Sequence, residues 1–195
     1  LVAANASNKV AVVDTKTGKL AALVDTKARP HPGRGANFVH PKFGPVWATS
    51  RLGADVISLI GTDPAKHPKE AWKVVAELKN HGGGSLFVKT HPKSKNLWAD
   101  APLNPDKEVA ESVSVYDIRN LDKGAEIINI AKLADLPESK AVKRAVSRSF
   151  CGVPSGLLVS NWSCPENPTT AAMVSARSRM VTSAPTPTLM WPSPE

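Results

Sequence analysis

The sequence predicts an all-β chain that forms part of a β-propeller, and two observations support this fold class. The stretch FVHPKFGPVWATS at residues 38–50 returns as FVKTHPKSKNLWADA at residues 87–101, and Trp47 recurs 51 positions later as Trp98. Each copy is followed by two short β-branched segments, VISLIGTD and WKVVAEL after the first and VSVYDIRN and AEIINIA after the second. A unit of about 50 residues with four short strands separated by turns is the pattern of one propeller blade.

The strands fill about two full blades and part of a third. The opening stretch KVAVVDTKTGKLAALVD, residues 9–25, is similar to the last two strands of an earlier copy, with residues 16–19 as the hairpin turn. Two copies cannot close a ring, because propellers have at least four blades, so we expect the other blades to come from sequence outside this chain or from another chain. The alternative is two unrelated hairpin pairs in a β-sandwich, and the constant offset of the repeat argues against it.

The chain changes character towards its C-terminus. From Ala145 onward it contains no lysine and no aspartate, and its only acidic residues there are Glu166 and Glu195. Pro, Ser and Thr accumulate and strand-like alternation disappears, which is typical of an irregular extension. The predicted division is therefore a partial propeller at residues 1–146 and an irregular Pro/Ser-rich tail at residues 147–195.

Charge and hydropathy narrow the functional classes. The formal net charge is +8, but the lysines are scattered and are not clustered with aromatic residues, so the sequence does not favour a nucleic-acid-binding face. An anionic small ligand or an acidic redox partner suits the same charge. The apolar runs stay well short of the roughly 18 residues that a membrane-spanning helix needs, so no membrane span is expected.

Two glycine-rich stretches cross from one predicted blade to the next. HPGRGAN precedes Phe38, and HGGGS at residues 81–85 precedes Phe87. In a propeller, such a crossing leads from the outer strand of one blade to the inner strand of the next, beside the central axis. Glycine lets the backbone turn sharply and approach a ligand closely. We therefore expect the two crossings to carry side chains to the mouth of the axis.

His31 and Arg34 of the first crossing are the candidate site residues. Three roles are open for His31: a general acid or base, a metal ligand, or a loop histidine with no chemical role. Arg34 favours the first role, because a guanidinium offers paired donors to a carboxylate and stays charged. The pair suits a carboxylate-bearing ligand that is protonated or reduced. His81 of the second crossing is a weaker candidate, because it lacks a neighbouring arginine.

The stretches HPGRGANFVHPKFGPVWATS, ISLIGTDP, GGGSLFVKTHPKSKNLW and SVSVYDIRNLD closely resemble the eight-bladed propeller domain of the cytochrome cd1 nitrite reductases. The resemblance covers residues 1–146. It implies a propeller that holds heme d1 at its axis and a small N-terminal domain that carries heme c. It also implies a periplasmic homodimer that reduces nitrite to nitric oxide in denitrification, with electrons from a c-type cytochrome or a cupredoxin.

The resemblance assigns roles to three residues by their positions in the shared motifs. His31 corresponds to a distal histidine that donates protons to bound nitrite, and Arg34 corresponds to an arginine that pairs with a carboxylate of heme d1. Phe87, directly after GGGSL, corresponds to a phenylalanine that packs in the heme pocket. The family's second distal histidine, its axial histidine and its heme c domain precede the position of Leu1, so this segment alone is expected to be inactive.

The resemblance breaks after Val146. The family continues there with Gln-Pro-Glu and then Tyr or Phe, whereas this chain reads Ser-Arg-Ser-Phe. Loss of the leading C from the codons CAG CCG GAG TTY produces this change. We therefore hypothesise that residues 147–195 are an out-of-frame translation.

Two other functions are open on the sequence alone. One is a heme d1 maturation protein, which shares the propeller and binds the cofactor or its precursor. The other is a non-catalytic propeller that serves as a binding platform. An upstream C-x-x-C-H motif in the full-length sequence would favour the reductase, and failure of the complete propeller to take up heme d1 would favour the platform.

Overall fold

Short antiparallel strands form most of the regular structure in the computed structural model of this protein, which describes residues 1–27, 29–31, 35–138, 140–148 and 156–159. In chain order the strands are β1 (Val2–Ala4), β2 (Lys9–Val13), β3 (Leu20–Asp25), β4 (Ala36–His40), β5 (Gly44–Ser50), β6 (Val56–Gly61), β7 (Val74–Lys79), β8 (Val88–Lys89), β9 (Asn96–Asp100), β10 (Ser112–Asp117), β11 (Glu126–Asn129), β12 (Ala145–Arg148) and β13 (Gly156–Val159). The helices are short: α1 (Lys107–Ala110), α2 (Ile130–Leu133) and 3-10 turns at Asn5–Ser7 and Leu121–Lys123. Among the described residues, no helix reaches the length and apolarity that crossing a bilayer requires.

The strands form successive antiparallel meanders. β1, β2 and β3 make a three-stranded sheet, β4 to β7 make a four-stranded sheet, and β8 to β11 make a second four-stranded sheet, each in chain order. β12 and β13 form a hairpin. Two complete four-stranded blades and part of an earlier one confirm the predicted all-β partial propeller.

The first sheet has one strand more than the sequence indicated. β1 pairs antiparallel with β2, from Val2 opposite Ala11 to Ala4 opposite Lys9. The connection ends at Asn8, whose φ of 54° is a left-handed conformation that asparagine tolerates. Three residues are too few to show an alternating pattern in the sequence, so β1 was not predicted.

The end of the described chain falls inside the predicted irregular tail. The hairpin pairs residues 145–148 with residues 156–159. The described residues do not include 149–155 and 160–195, and both cysteines lie in these two ranges. The boundary at residue 146 therefore stays a prediction.

Apolar side chains pack between successive sheets, as they do between the blades of a propeller. The largest cluster joins the two four-stranded sheets, and its buried members are Ala36, Ala48, Ile57, Leu59, Leu78, Val88, Leu97, Ala99, Tyr116 and Leu121. A second cluster joins the first sheet to β5 and β6 through Val10, Val12, Val24, Trp47 and Ile60. The Tyr116 hydroxyl also donates to the Lys79 carbonyl at 2.7 Å, and burial raises the pKa of Tyr116 to about 12.

Both copies of the repeat close their first hairpin with a histidine turn. His40 Nδ1 accepts a hydrogen bond from Lys42 N at 3.0 Å, and His91 Nδ1 accepts one from Lys93 N at 3.1 Å. The Nδ1 atom therefore acts as an acceptor in both turns. These contacts identify both HPK histidines as turn residues.

The strand register aligns the two blades differently from the sequence repeat. Trp47 pairs with Asn37, whereas Trp98 pairs with Lys89, so Lys89 takes the place of Asn37. Phe87 consequently lies just ahead of β8 and not inside a strand. This displacement brings Phe87 to the crossing itself.

Candidate functional site

The first crossing is tied to β5 where the chain enters its glycine- and proline-rich part. His31 N donates to the Ser50 carbonyl at 2.9 Å, and regular pairing resumes at Ala36. His31 therefore lies at the end of β5 and close to the start of β4. Arg34, the predicted carboxylate-binding residue, lies outside the described residues.

Gly35 brings the first crossing into close contact with β5. A Cβ atom at this position would lie 2.1 Å from the Ala48 carbonyl oxygen and 2.5 Å from the Trp47 indole. Real Cβ atoms do not approach other atoms this closely, so only glycine fits here without displacing the backbone. The glycine that follows the HPGR motif is thus required by packing against β5.

His81 of the second crossing is held inside its own blade. Its Nε2 lies 3.1 Å from the Val109 carbonyl and its Nδ1 lies 2.7 Å from Ser114 Oγ. Nδ1 also lies 3.1 Å from Asn80 Oδ1, so both ring nitrogens contact polar groups of the same blade or of the crossing itself. Burial lowers the pKa of His81, and these contacts hold its ring inside the blade.

The structure brings His31 and Phe87 together. Their ring centroids are 6.2 Å apart and the ring planes meet at 76°, an edge-to-face arrangement. The two residues come from the two successive crossings, and both are partly buried. A titratable ring thus lies against an aromatic surface beside the first strands of neighbouring blades.

Buried serine residues connect the two crossings. Ser50, whose carbonyl accepts from His31 N, donates its hydroxyl to the Ser85 carbonyl at 3.3 Å. Ser50 is 3% exposed and Ser85 is 1% exposed, so this contact is shielded from solvent. The backbone that carries His31 and the backbone that carries Phe87 are therefore fixed relative to each other.

Lys89 lies beside Phe87 and belongs to the same site, although the sequence analysis did not predict it. Its Nζ lies 5.5 Å from the centre of the Phe87 ring, a cation–π distance, and the residue is only 7% exposed. Side chains two positions apart project from the same face of an extended chain, so the F-x-K spacing was a usable signal. The site thus combines an imidazole, a phenyl ring and an ammonium group.

Burial affects the acidity of His31. Partial withdrawal from water lowers the pKa of the imidazole below its ordinary value of 6.5. A lowered pKa makes the protonated ring a stronger acid, so it releases a proton more readily than an exposed histidine. Among the described residues, no group of three or more His, Cys, Asp or Glu side chains is arranged to hold a metal ion.

The chain is similar to known proteins in its sequence and in its fold. The family model described as the cytochrome D1 heme domain matches residues 1–175. A curated "Nitrite reductase" from Stutzerimonas stutzeri is 60% identical over 167 residues, which cover 83% of this chain and 30% of that relative. Among solved structures, "Dihydro-heme d1 dehydrogenase NirN in complex with DHE" matches with a TM-score of 0.55 and 20% identity, over 74% of this chain and 26% of that one.

These matches differ in what they establish. Because the solved structure is only 20% identical to this chain, the match shows a shared fold and nothing about function. The chain spans less than a third of the curated relative's length, so the activity of a whole protein is not established by the match. The family match covers most of the chain and confirms the resemblance carried by the HPGRG and GGGSLF motifs. The chain belongs to the cytochrome D1 heme domain family.

Proposed function

We propose that this chain is a segment of a dissimilatory nitrite reductase that reduces nitrite to nitric oxide at heme d1 in denitrification. Membership of the heme domain family and 60% identity to a nitrite reductase support this activity. The observation that carries the proposal is the edge-to-face contact between His31 and Phe87, because it joins a proton-carrying ring to an aromatic surface. The 60% identity to a nitrite reductase favours reduction of nitrite over the alternative role in heme d1 maturation.

The side chains of the site fit a flat, anionic tetrapyrrole. Phe87 offers an aromatic ring against which a macrocycle can pack. Lys89 offers a shielded positive charge. Arg34 is proposed to pair with a carboxylate of heme d1, because the resemblance gives this role to the arginine of the HPGRG motif. Phe87 and Arg34 are the residues that we propose to hold the cofactor.

His31 is proposed to supply protons to nitrite. Heme d1, when bound, supplies the iron centre that binds nitrite and passes one electron to it. The overall change is NO₂⁻ + 2 H⁺ + e⁻ → NO + H₂O, so one nitrite oxygen must receive two protons and leave as water. His31 is proposed to hold a proton at a ring nitrogen and to transfer it to that oxygen. Its lowered pKa makes the protonated ring a stronger acid and also reduces the fraction of the ring that is protonated at neutral pH.

The rest of the proposed enzyme lies outside this segment. We expect an N-terminal domain with heme c, and we expect the axial histidine and a second distal histidine to come from other parts of the protein. The complete protein is proposed to be a periplasmic homodimer that receives electrons from a c-type cytochrome or a cupredoxin. These features rest on the family resemblance, and the segment alone is not expected to reduce nitrite.

The out-of-frame origin of residues 147–195 remains our hypothesis. The family match extends to residue 175, past the boundary predicted at residue 146. Sequencing of the coding DNA tests the hypothesis directly. A one-base correction after the Val146 codon should restore Gln-Pro-Glu and strand-like sequence, and failure of every such correction would refute it.

Substitution of His31 tests the proposed function. In the full-length protein, His31→Ala should lower nitrite turnover by about 10²-fold or more, since general acid catalysis contributes about 10²–10⁴-fold. Heme d1 content should stay at the level of the unsubstituted protein, because His31 is not proposed to hold the cofactor. Nitric oxide production and the heme d1 absorbance measure the two quantities.

His91→Ala is the matched control. His91 closes a turn at the other end of β8, where its Nδ1 accepts from Lys93 N. Its replacement should leave turnover near that of the unsubstituted protein. Equal turnover in His31→Ala and the unsubstituted protein would remove the proposed role of His31, and absence of heme d1 from the unsubstituted protein would contradict the proposed function as a whole.

A further inference from the structure

A buried carboxylate holds the backbone of the second crossing. Asp100 is the last residue of β9 and is completely buried. Its Oδ1 accepts hydrogen bonds from Leu86 N at 2.8 Å, from Phe87 N at 2.9 Å and from Ser85 Oγ at 3.3 Å. A buried carboxylate is costly unless such bonds satisfy it, so the three donors and the acid stabilise one another.

In the blade formed by β4 to β7, the matching position of β5 does not carry a carboxylate. Counted from the repeated tryptophans, Thr49 is the counterpart of Asp100. In the first blade the chain before β4 pairs directly with β5, through His31 N and the Ser50 carbonyl. In the second blade the pairing of β8 covers two residues, and Asp100 receives the backbone N–H groups that precede them. Asp100 N also donates a hydrogen bond to the Phe87 carbonyl at 3.3 Å, so each of the two residues donates a hydrogen bond to the other.

The same carboxylate is connected to the first crossing. Ser85 donates its hydroxyl to Asp100, and the Ser85 carbonyl accepts from Ser50 Oγ at 3.3 Å. Ser50 in turn accepts from His31 N. A path of hydrogen bonds through buried groups therefore joins Asp100 to the backbones of both Phe87 and His31.

We propose that Asp100 is a positioning residue for the cofactor: its carboxylate fixes Phe87 in the orientation that binds the heme d1 macrocycle. This inference rests on the proposed function, because it takes Phe87 as part of the heme d1 pocket. Asp100 acts through Phe87 and does not touch the macrocycle. Its contribution to cofactor affinity should consequently depend on the phenyl ring.

Asp100→Asn is the decisive variant. It keeps the shape and one carbonyl acceptor but removes the charge, which makes the bonds to the crossing weaker. Asp100→Leu removes the acceptor altogether and can prevent folding, since it leaves buried N–H groups unsatisfied. Asp63→Asn is the matched control, because the Asp63 carboxylate accepts from the backbone N of Ala65 and Lys66 in a turn away from the crossings.

Two measurements on the full-length protein test the proposal. Amide hydrogen exchange of Leu86 and Phe87 should become faster in Asp100→Asn and stay unchanged in Asp63→Asn. Titration of the heme-free protein with extracted heme d1, followed by absorbance, should give a Kd about tenfold higher in Asp100→Asn. In a Phe87→Ala background, Asp100→Asn should change the Kd by less than about twofold, because the ring through which it acts is gone.

Each outcome separates the proposal from a purely structural role. A weaker Kd that depends on Phe87 supports positioning. The same loss of affinity with and without Phe87, or an unchanged Kd in Asp100→Asn, would overturn it. Failure of the unsubstituted protein to bind heme d1 would instead contradict the proposed function, and this inference would fall with it.

Discussion

The imidazole of His31 and the phenyl ring of Phe87 meet edge to face, with the ring centroids 6.2 Å apart. Phe87 therefore contributes to the burial that lowers the pKa of His31. We expect Phe87→Ala to expose the imidazole and to raise the pKa of His31 towards its ordinary value of 6.5. A histidine-selective NMR titration of the heme-free full-length protein measures this shift.

Phe43→Ala provides the control for that titration. Phe43 packs on His40 with ring centroids 4.6 Å apart, so its removal should raise the pKa of His40 and leave that of His31 unchanged. Burial is the largest cause of the lowered pKa of His40. If the pKa of His31 stays constant or falls in Phe87→Ala, the proposed shielding by the phenyl ring is wrong.

Acidification should destabilise the folded protein below about pH 6.5. Burial is the largest cause that lowers the pKa of His31, of His40 and of His81. The unfolded chain therefore binds protons more tightly at these positions, and stability falls as the pH falls. The full contribution is present above the unfolded pKa of about 6.5 and is lost as the pH drops through the folded values. Thermal unfolding at about pH 7.5, 6.5 and 5.5 measures the effect.

The Asp117 carboxylate, which is paired with Arg119, titrates at lower pH than the histidines and therefore serves as a control. Hydrogen bonds from Arg119 lower the pKa of Asp117 to about 2, so its stabilisation is lost only as the pH falls below about 3.8. His81→Gln should reduce the change in Tm between pH 7.5 and 5.5, whereas Asp117→Asn should leave that change as it was. A Tm that stays level or rises over this interval would contradict the prediction.

The repeat predicted the blades, but it did not predict contacts between residues that are far apart in the chain. Short β-branched segments and a constant spacing are local features, and they located both complete blades and the two crossings. The burial of Lys89 and the acceptor role of Asp100 depend on strand register and on partners far along the chain. His81 illustrates the same point, because only the fold brings it to Ser114 and Val109.

Gly35→Ala should disturb the first crossing more than a matched glycine substitution in the second. The added Cβ would lie 2.1 Å from the Ala48 carbonyl oxygen, a backbone atom that cannot move without shifting β5. Overpacking of this kind costs about 1–3 kcal/mol, so Tm and heme d1 content should both fall. Gly83→Ala is the control, since its nearest contacts would be ordinary ones at 3.6 Å. Equal Tm values for the two variants would show that the crossing can relax.

Glu77→Gln should lower stability through the arginine that it leaves behind. Arg51 donates from Nη2 to Glu77 at 2.6 Å and from Nε to Ser58 Oγ at 2.8 Å, and its side chain is only 7% exposed. A buried charge that loses its partner is costly, but the Glu77 side chain is 39% exposed and solvent weakens the pair. We therefore expect a loss of about 1–2 kcal/mol in the free energy of unfolding, below the 3–5 kcal/mol typical of fully buried pairs.

Asp117→Asn breaks an exposed pair and serves as the comparison. Arg119 and Asp117 are also 2.6 Å apart, but their side chains are 63% and 36% exposed, so water can solvate the remaining guanidinium. The loss of stability should be smaller than in Glu77→Gln when both are measured by urea unfolding of the full-length protein. A larger loss in Asp117→Asn would mean that burial of Arg51 does not determine the cost, and the neutral amide introduced by Glu77→Gln would then satisfy the guanidinium as well as the carboxylate does.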